Sequence, residues 1–443
     1  MSSTMIPAKI TQAVVMAAGR GNRMGILTSH TLRAHEGNLA ACCLPVGGRR
    51  NINRVIQQAA DYGVTNVSVV SHHLAGDVIA GVGNGEIFEK KDLAIRHVVL
   101  PAMMQHRASI EEAIRINPFR EDEPFWVLGA TTLHPKADLD AMRNTFASAL
   151  AINQNLIGCV GFVLRPAHKV LGRFGIAVID QQNYVRRFIE KPASESEIAE
   201  AVGQTDNAFI KDASKKLGEP LLPVNTSYAL LLRDIFEQTE GKGNSLGEEI
   251  FSHLPPSLIY AHIMPEPIEA GAIRKEWYHL ASPRDFWLAE WRFARSTPHA
   301  IRGEYNDSYH SWFGREVVVR PGSSVTNSIL GDRVYVGPGV ILDGAIVGTG
   351  SKLHSCVAKN SVLLPHTYVN DTTYTTRMES VLNSVVGGRT TGGTFVDGYT
   401  MNGLEQIDNV AAIPSKDGSI KPYPLGLSPA DLAEAETVKR EIF

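Results

Sequence analysis

The residues best suited to chemistry lie near the start of the chain, in Ala13-Val14-Val15-Met16-Ala17-Ala18-Gly19-Arg20-Gly21-Asn22-Arg23-Met24. An apolar run ends in two glycines, followed by Asn22 and Arg23. A buried strand feeding such a turn offers backbone N–H groups that can close on a phosphate chain, with a fixed positive charge beside them. Glycines punctuate turns of every kind, so Gly-x-Gly alone is equally what a plain tight turn would show. Two further segments carry charge in a useful order. Phe188-Ile189-Glu190-Lys191-Pro192 sets a carboxylate beside an ammonium, downstream of Arg173-Phe174-Gly175. Its plain reading is a solvated ion pair ending an edge strand. Asn225-Thr226-Ser227-Tyr228 precedes another apolar run.

These groups need a scaffold, and the apolar pattern supplies one. Val14–Met16, Val67–Val70, Ala94–Leu100, Phe125–Leu128 and Leu156–Leu164 read as buried strands, while Ile52–Tyr62 and Ser109–Ile116 carry helical spacing. Alternation of this kind predicts a mostly parallel sheet covered by helices on both faces. Gly175–Ile179, Val185–Ile189, Thr226–Leu232 and Leu258–Ile263 form a second set, with Asp180-Gln181-Gln182-Asn183 as a hairpin turn. The polar stretch Ser296–Arg315 reads as a linker. Beyond it Leu330, Val336 and Leu342 recur with Gly and Pro between them. Val319 and Val325 extend the period upstream, and Ile346, Leu353, Val357 and Val362 extend it downstream with slips. Branched residues at this interval predict a parallel β-helix, each pointing inward at a compact turn; an ordinary all-β domain of short strands is the alternative. Ser428-Pro429 before Ala430–Phe443 reads as a capped terminal helix with proline at its first position.

The composition of the 443 residues limits the partners. Lys and Arg number 43 against 46 Asp and Glu, a net charge of −3. Neither nucleic acid nor a membrane surface is expected as a partner from that balance. No apolar run approaches the roughly 20 residues that span a bilayer. The opening Met1-Ser2-Ser3-Thr4-Met5-Ile6-Pro7 has no export signature, and Cys42, Cys43, Cys159 and Cys356 form no disulfide framework, so a cytoplasmic protein is expected.

The glycine-arginine loop, with Leu44-Pro45-Val46-Gly47-Gly48-Arg49-Arg50 after it, resembles the opening of the sugar-1-phosphate nucleotidyltransferases. Within them it looks most like the ADP-glucose pyrophosphorylase (glucose-1-phosphate adenylyltransferase) branch. The resemblance implies an α/β fold: a Rossmann-like nucleotidyltransferase domain over 10–298 and a C-terminal left-handed parallel β-helix of hexapeptides over 316–370. It leaves residues 371–443 as a tail of unassigned role. It implies an NTP and a sugar (or cyclitol) 1-phosphate as substrates, joined into an NDP-sugar with release of pyrophosphate, and a homo- or hetero-oligomer. Carried over residue by residue, Arg23 becomes the catalytic cation, and Ala18, Gly19, Gly21, Asn22 and Gln105 the nucleotide-binding residues. Gly175, Glu190, Lys191 and Ser227 become the sugar-phosphate site, Glu190 for sugar hydroxyls and Lys191 for the phosphate. A carboxylate suits paired hydroxyl donors, and an ammonium meets a phosphate as a point charge.

The departures from the family pattern matter as much. Ala41 stands where the family has a lysine, Ala130 or Thr131 where it has a metal-binding aspartate, and His279 where a second aspartate follows Trp277. The base-binding Gly-Thr-Ala is replaced within Gln105-His106-Arg107-Ala108-Ser109. Mg²⁺ is therefore implied for an active enzyme without an identifiable ligand set. His279 is either a phosphate hydrogen-bond donor or a core histidine. Asp138, Asp140 and Asp285 are nearby carboxylates, the first two read as a helix start. Two readings stay open: a working nucleotidyltransferase with an unusual site, or a catalytically degenerate paralogue that senses ligand or supports an active subunit. Non-catalytic members exist in the resembling family. A purely structural assembly module is a third.

Overall fold

In the computed structural model the described residues are 6, 9–19, 24, 40–89, 92–104, 106–238, 251, 254–255, 257–269, 272–296, 303–354, 356–369, 379–382, 385–386, 405–408, 410–412, 423–424 and 427–442. They fall into two units, one drawn from Met1–Gly19 and Ile52–Trp277, the other from Arg20–Asn51 and Tyr278–Phe443.

The first unit is mixed α/β. Its strands are β1 (Gln12–Met16), β2 (Asn66–Ser71), β3 (Ala94–Val99), β4 (Phe125–Gly129), β5 (Gly158–Pro166), β6 (Ile176–Ile179), β7 (Val185–Ile189), β8 (Leu221–Leu231) and β9 (Ile259–Ile263). Among the described residues they make one sheet of order β7-β6-β8-β4-β1-β2-β3, with β5 paired to β8 and β9. β1 runs parallel to β2 and β4, and β2 to β3. β1 and β4 are buried on both faces, whereas β3 at the sheet edge, with Arg96 and His97, leaves alternate residues exposed. β8 runs antiparallel to β4, β5 and β6. The expected hairpin joins β6 to β7: Asn183 turns left-handed at φ 66° and donates its N–H to the Asp180 carbonyl at 3.1 Å.

The helices of this unit are α1 (Asn51–Asp61), α2 (Ala75–Val82), α3 (His106–Ile116), α4 (Leu139–Ile152), α5 (Glu195–Gln204) and α6 (Ala208–Leu217). α1 buries Ile52, Val55, Ile56, Ala59 and Ala60, one stripe of a 3.6-residue repeat. Asp138 caps α4 by accepting the Ala141 N–H at 2.8 Å, as the sequence predicts. Val14, Val70, Phe125, Val127, Phe162 and Leu231 lie in one core around the sheet.

The second unit contains three ladders of short parallel strands. One runs Trp312, Ile329, Ile346, Val362, Val385 in register. A second runs Val318, Tyr335, Lys352, Tyr368, and a third Ser324, Ile341, Val357, Ser380, Gln406. This arrangement fits the β-helix that the spacing predicts. Val325, Leu330, Val336, Leu342 and Leu353 are buried in its core. Two details differ from the sequence pattern. Val357 is only half-buried, while its neighbours Cys356 and Ala358 point inward, because a slip of one residue exchanges the two faces. Part of the stretch read as a linker is folded: Glu304–Asn306 pairs antiparallel with Ser311–Phe313, the first strand of a ladder.

Helix α7 (Pro283–Ser296) and the C-terminal α8 (Pro429–Ile442) also belong to the second unit. Ser428 and Asp431 bond each other reciprocally at the start of α8, and Pro429 takes the first helical position. α8 lies on α7 through Arg284–Asp431, Arg292–Glu434 and Arg295–Glu441, with N–O distances of 2.8, 2.6 and 3.7 Å. The Gly47-Gly48 turn joins Pro45–Val46 to Arg49–Arg50, with positive φ at both glycines as a two-residue hairpin demands, and the Gly47 N–H is held by Glu290 at 2.8 Å. No helix among the described residues is long and apolar enough to cross a membrane. The four cysteines are buried and form no disulfide.

Arg292 and Glu434 are 12% and 20% exposed, so reversing one charge strands the other in a half-dry contact. Arg292→Glu is expected to cost about 1.5–3 kcal/mol, read as a lowered urea midpoint. Arg292→Glu with Glu434→Arg is expected to recover most of that loss.

Candidate functional site

The candidate site grows out of an irregularity in β8. Between Asn225 and Ala229 this strand carries more residues than β5 does between Phe162 and Val160, so it bulges. Ser227 takes the left-handed region at φ 64° and is exposed, and its N–H is held by Asn225 Oδ1 at 2.9 Å. Thr226, on the buried side, donates its hydroxyl to the Gly161 carbonyl at 2.8 Å. Tyr228 is buried, donates its hydroxyl to Gln58 at 2.7 Å and accepts the His134 N–H at 3.2 Å. The bulge reaches the end of β4: a Cβ on Gly129 would lie 2.8 Å from Ser227 Cβ.

The Asn225 N–H donates to the Gly175 carbonyl at 2.9 Å, which ties the bulge to the turn before β6. Glu190 lies directly over Gly175. A Cβ added there would fall 2.6 Å from the Glu190 carboxylate and 2.7 Å from the Phe188 ring, so only glycine fits. Lys191 turns left-handed at φ 47°, donates its N–H to the Phe174 carbonyl at 3.2 Å, and pairs through Nζ with Glu190 at 3.1 Å. A lysine in that region costs about 1–2 kcal/mol. Glu190 is 22% exposed and Lys191 51%, so both charged ends face outward. The structure thus brings Gly175, Glu190, Lys191 and the Ser227 bulge to one place.

His106, at the start of α3, is exposed and is coupled electrostatically to Glu190 and Lys191, although no motif assigns it a role. Loss of hydration holds its imidazole below the usual range; Glu190 pulls it up and Lys191 pushes it further down. Two other members carry no signal in a linear motif. Arg165 and Glu266, both nearly buried, form an ion pair far apart in sequence, and Trp277 sits beside them. A charged residue abutting the apolar run Leu156–Leu164, and a carboxylate between Pro265 and Pro267, are the traces they leave.

Of the nucleotide residues, Ala18 is buried and Gly19 exposed just past the end of β1, with open space where a Gly19 side chain would stand. Gly21, Asn22, Arg23 and Gln105 lie outside the described residues. Ala18 and Gly19 follow the carboxyl end of a central strand, where ligands of open α/β sheets bind. Ala130 lies at the same edge, its N–H on the Met16 carbonyl at 3.0 Å.

That edge does not suit Mg²⁺. Ala130 is fully buried and has no donor, Thr131 is half-buried, and the Thr132 hydroxyl is spent on the Gly129 carbonyl at 3.0 Å. A hard dication takes carboxylate and water oxygens, and this strand end offers no carboxylate. Asp138 caps α4 and Asp140 pairs with Arg143, and in the second unit Asp285 bonds Ser282, so each of these carboxylates serves a helix start. Among the described residues no group of three His, Cys, Asp or Glu side chains could hold a metal. In the second unit Ala41 is buried in a short turn, and His279 is half-buried.

The comparisons with known proteins point the same way as the motifs. No protein-family model matches the chain. The chain is 21% identical over 392 residues to the glucose-1-phosphate adenylyltransferase of Albidiferax ferrireducens, covering 81% of this chain and 84% of the relative. It is 21% identical over 377 residues to that of Dechloromonas aromatica (80% and 79%) and 22% identical over 322 residues to that of Teredinibacter turnerae (68% of each). The chain is therefore a distant relative of glucose-1-phosphate adenylyltransferases over most of its length.

Two outcomes follow from this geometry. Gly175→Ala should push the Glu190 carboxylate off its seat, so that any ligand held by Glu190 binds at least tenfold more weakly (about 1.4 kcal/mol) in a titration, with the fold kept by circular dichroism. The second concerns pH. Burial holds His134 and His262 below the usual imidazole value, as loss of hydration does His106. Below about pH 6.5 the unfolded chain binds protons that the folded chain refuses, so stability is present above that pH and is lost as pH falls. The melting temperature should drop from pH 7 to pH 5, and by less in His134→Gln.

Proposed function

We propose that the chain is a sugar-1-phosphate nucleotidyltransferase. An oxygen of the sugar phosphate attacks the α-phosphorus of an NTP, a new P–O bond forms, and the bond to the β-phosphate oxygen breaks. Pyrophosphate leaves with the electron pair, and the product is an NDP-sugar. The observation that carries this reading is the Gly175–Glu190–Lys191 corner beside the Ser227 bulge. Lys191 neutralises the sugar phosphate and directs one of its oxygens, while Glu190 accepts hydrogen bonds from sugar hydroxyls. The amides around Gly19 and Gly21, with Arg23, stabilise negative charge on the triphosphate. The residues at the end of β4 do not fit Mg²⁺. The distant relatives support the class of reaction. A Rossmann-like catalytic domain, a left-handed β-helix and a cytoplasmic oligomer belong to the same proposal.

The second reading, a degenerate paralogue that binds ligand without turning it over, draws on one observation: the fully buried methyl group of Ala130 at the strand end. Pyrophosphate release separates the two, measured across the common NTPs and a panel of sugar 1-phosphates with and without Mg²⁺. Turnover with one pair supports the transferase, and Lys191→Ala should then raise KM for the sugar phosphate by roughly 10–150-fold, equivalent to about 1.5–3 kcal/mol. Absent turnover with retained binding supports the paralogue. In that case Ala130→Asp combined with His279→Asp should gain release that the parent lacks.

A further inference from the structure

The Arg165–Glu266 pair raises a physical question. Both side chains are nearly buried, at 7% and 3% exposed, and a buried ion pair adds little stability over an apolar replacement of similar volume. Its geometry shows what else it does. Arg165 reaches both Glu266 oxygens, one Nη at 3.1 Å to Oε1, and its other Nη also donates to the Leu164 carbonyl at 2.7 Å. Glu266 Oε1 accepts the Glu276 N–H at 2.7 Å and the Trp277 N–H at 2.9 Å. The pair therefore clamps the backbone from which the Trp277 side chain projects. The Arg165 guanidinium also lies 5.6 Å from the centre of the Trp277 ring.

Trp277 is buried and spans two walls of the candidate sugar-phosphate corner. Its indole N–H donates to the Thr226 carbonyl at 3.2 Å, next to Ser227. Its ring meets Phe174 edge-on at 5.6 Å, and the Phe174 carbonyl is the group that holds the Lys191 N–H. Thr226 and Phe174 lead directly into Ser227 and Gly175. Both left-handed residues, Ser227 and Lys191, are thus braced through one side chain. Burial pushes the Glu266 carboxyl up, but Arg165 outweighs it and keeps the group below the usual range, so the clamp stays charged. His134 is coupled electrostatically to both members of the pair, and Lys136 and Arg274 form ion pairs with the neighbouring Glu276 carboxylate.

We propose that Arg165 and Glu266 are positioning residues of the sugar-phosphate corner, acting on Ser227 and Lys191 through Trp277. This rests on the proposed function. The test is a calorimetric titration of the full chain with glucose 1-phosphate, alongside thermal melts. Arg165→Met with Glu266→Met replaces the pair by apolar groups; it should melt at or above the wild-type temperature, yet bind roughly tenfold or more weakly. Arg165→Lys, which restores the charge without the two-point fork, should recover only part of the affinity. Trp277→Phe, which keeps a ring but loses the N–H, should bind several-fold more weakly; it carries the test if the double variant does not fold. Unchanged affinity in the double variant, or in Trp277→Phe where that variant stands in, overturns this inference alone, provided Lys191→Ala still loses binding. No binding of glucose 1-phosphate or of any other member of the sugar 1-phosphate panel to the wild type, or binding indifferent to Lys191→Ala, overturns the proposed function and this inference with it.

Discussion

The first unit is organised around one constraint: β8 must satisfy three neighbouring strands. Its first half bonds β5 and touches β6 at Val224–Ile176, and its second half bonds β4 and β5. The switch leaves the backbone around Thr226 and Ser227 without ladder partners, and buried backbone groups have to be paired. Three of these groups find partners outside the β4 and β5 ladders. Asn225 N–H goes to Gly175, Ser227 N–H to the Asn225 side chain, and the Thr226 carbonyl to the Trp277 indole. The hydrogen-bond demands of the bulge therefore collect the same segments that carry Glu190, Lys191 and the Arg165–Glu266 clamp.

The outcome is a corner with charge at its mouth and rigidity behind it. Glu190 and Lys191 are paired with each other and partly exposed, so under the proposed function an incoming phosphate would take the ammonium while hydroxyls took the carboxylate. Ser227 and Lys191 both occupy a backbone region that L-residues avoid, and such strain persists only when the surroundings over-determine it. Gly175 supplies the space and Trp277 the backing. By contrast, the end of β4 holds a buried methyl group and a self-satisfied threonine. One sheet edge thus combines a rigid corner carrying a Glu190–Lys191 ion pair with a strand end that offers no carboxylate.

Much of this was legible in the amino-acid sequence because the signals are local. β1, β2 and β4 are centred on short apolar stretches, α1 carries a 3.6-residue stripe, and the inward residues of the ladders recur with their turns. Glu190 and Lys191 could be chosen because one motif holds them side by side, and Gly175 because Arg173-Phe174-Gly175 lies upstream of that motif. The rest was hidden for identifiable reasons. Pro223 interrupts the pattern of β8, so its first half does not read as a strand. Val357 exchanges places with Cys356 and Ala358 because a slip of one residue changes which face is inside. Arg165, Glu266 and Trp277 meet only when β5, the segment after β9 and the end of the first unit are folded together, and no spacing along the chain encodes that.

The account stands or falls on where a sugar phosphate binds. The most direct measurement is a crystal structure of the protein at saturating glucose 1-phosphate. The phosphate should lie within hydrogen-bond reach of Lys191 Nζ, with the Glu190–Lys191 pair opened and sugar hydroxyls on the Glu190 carboxylate beside Gly175. A ligand found elsewhere, with the Glu190–Lys191 pair intact, would contradict it.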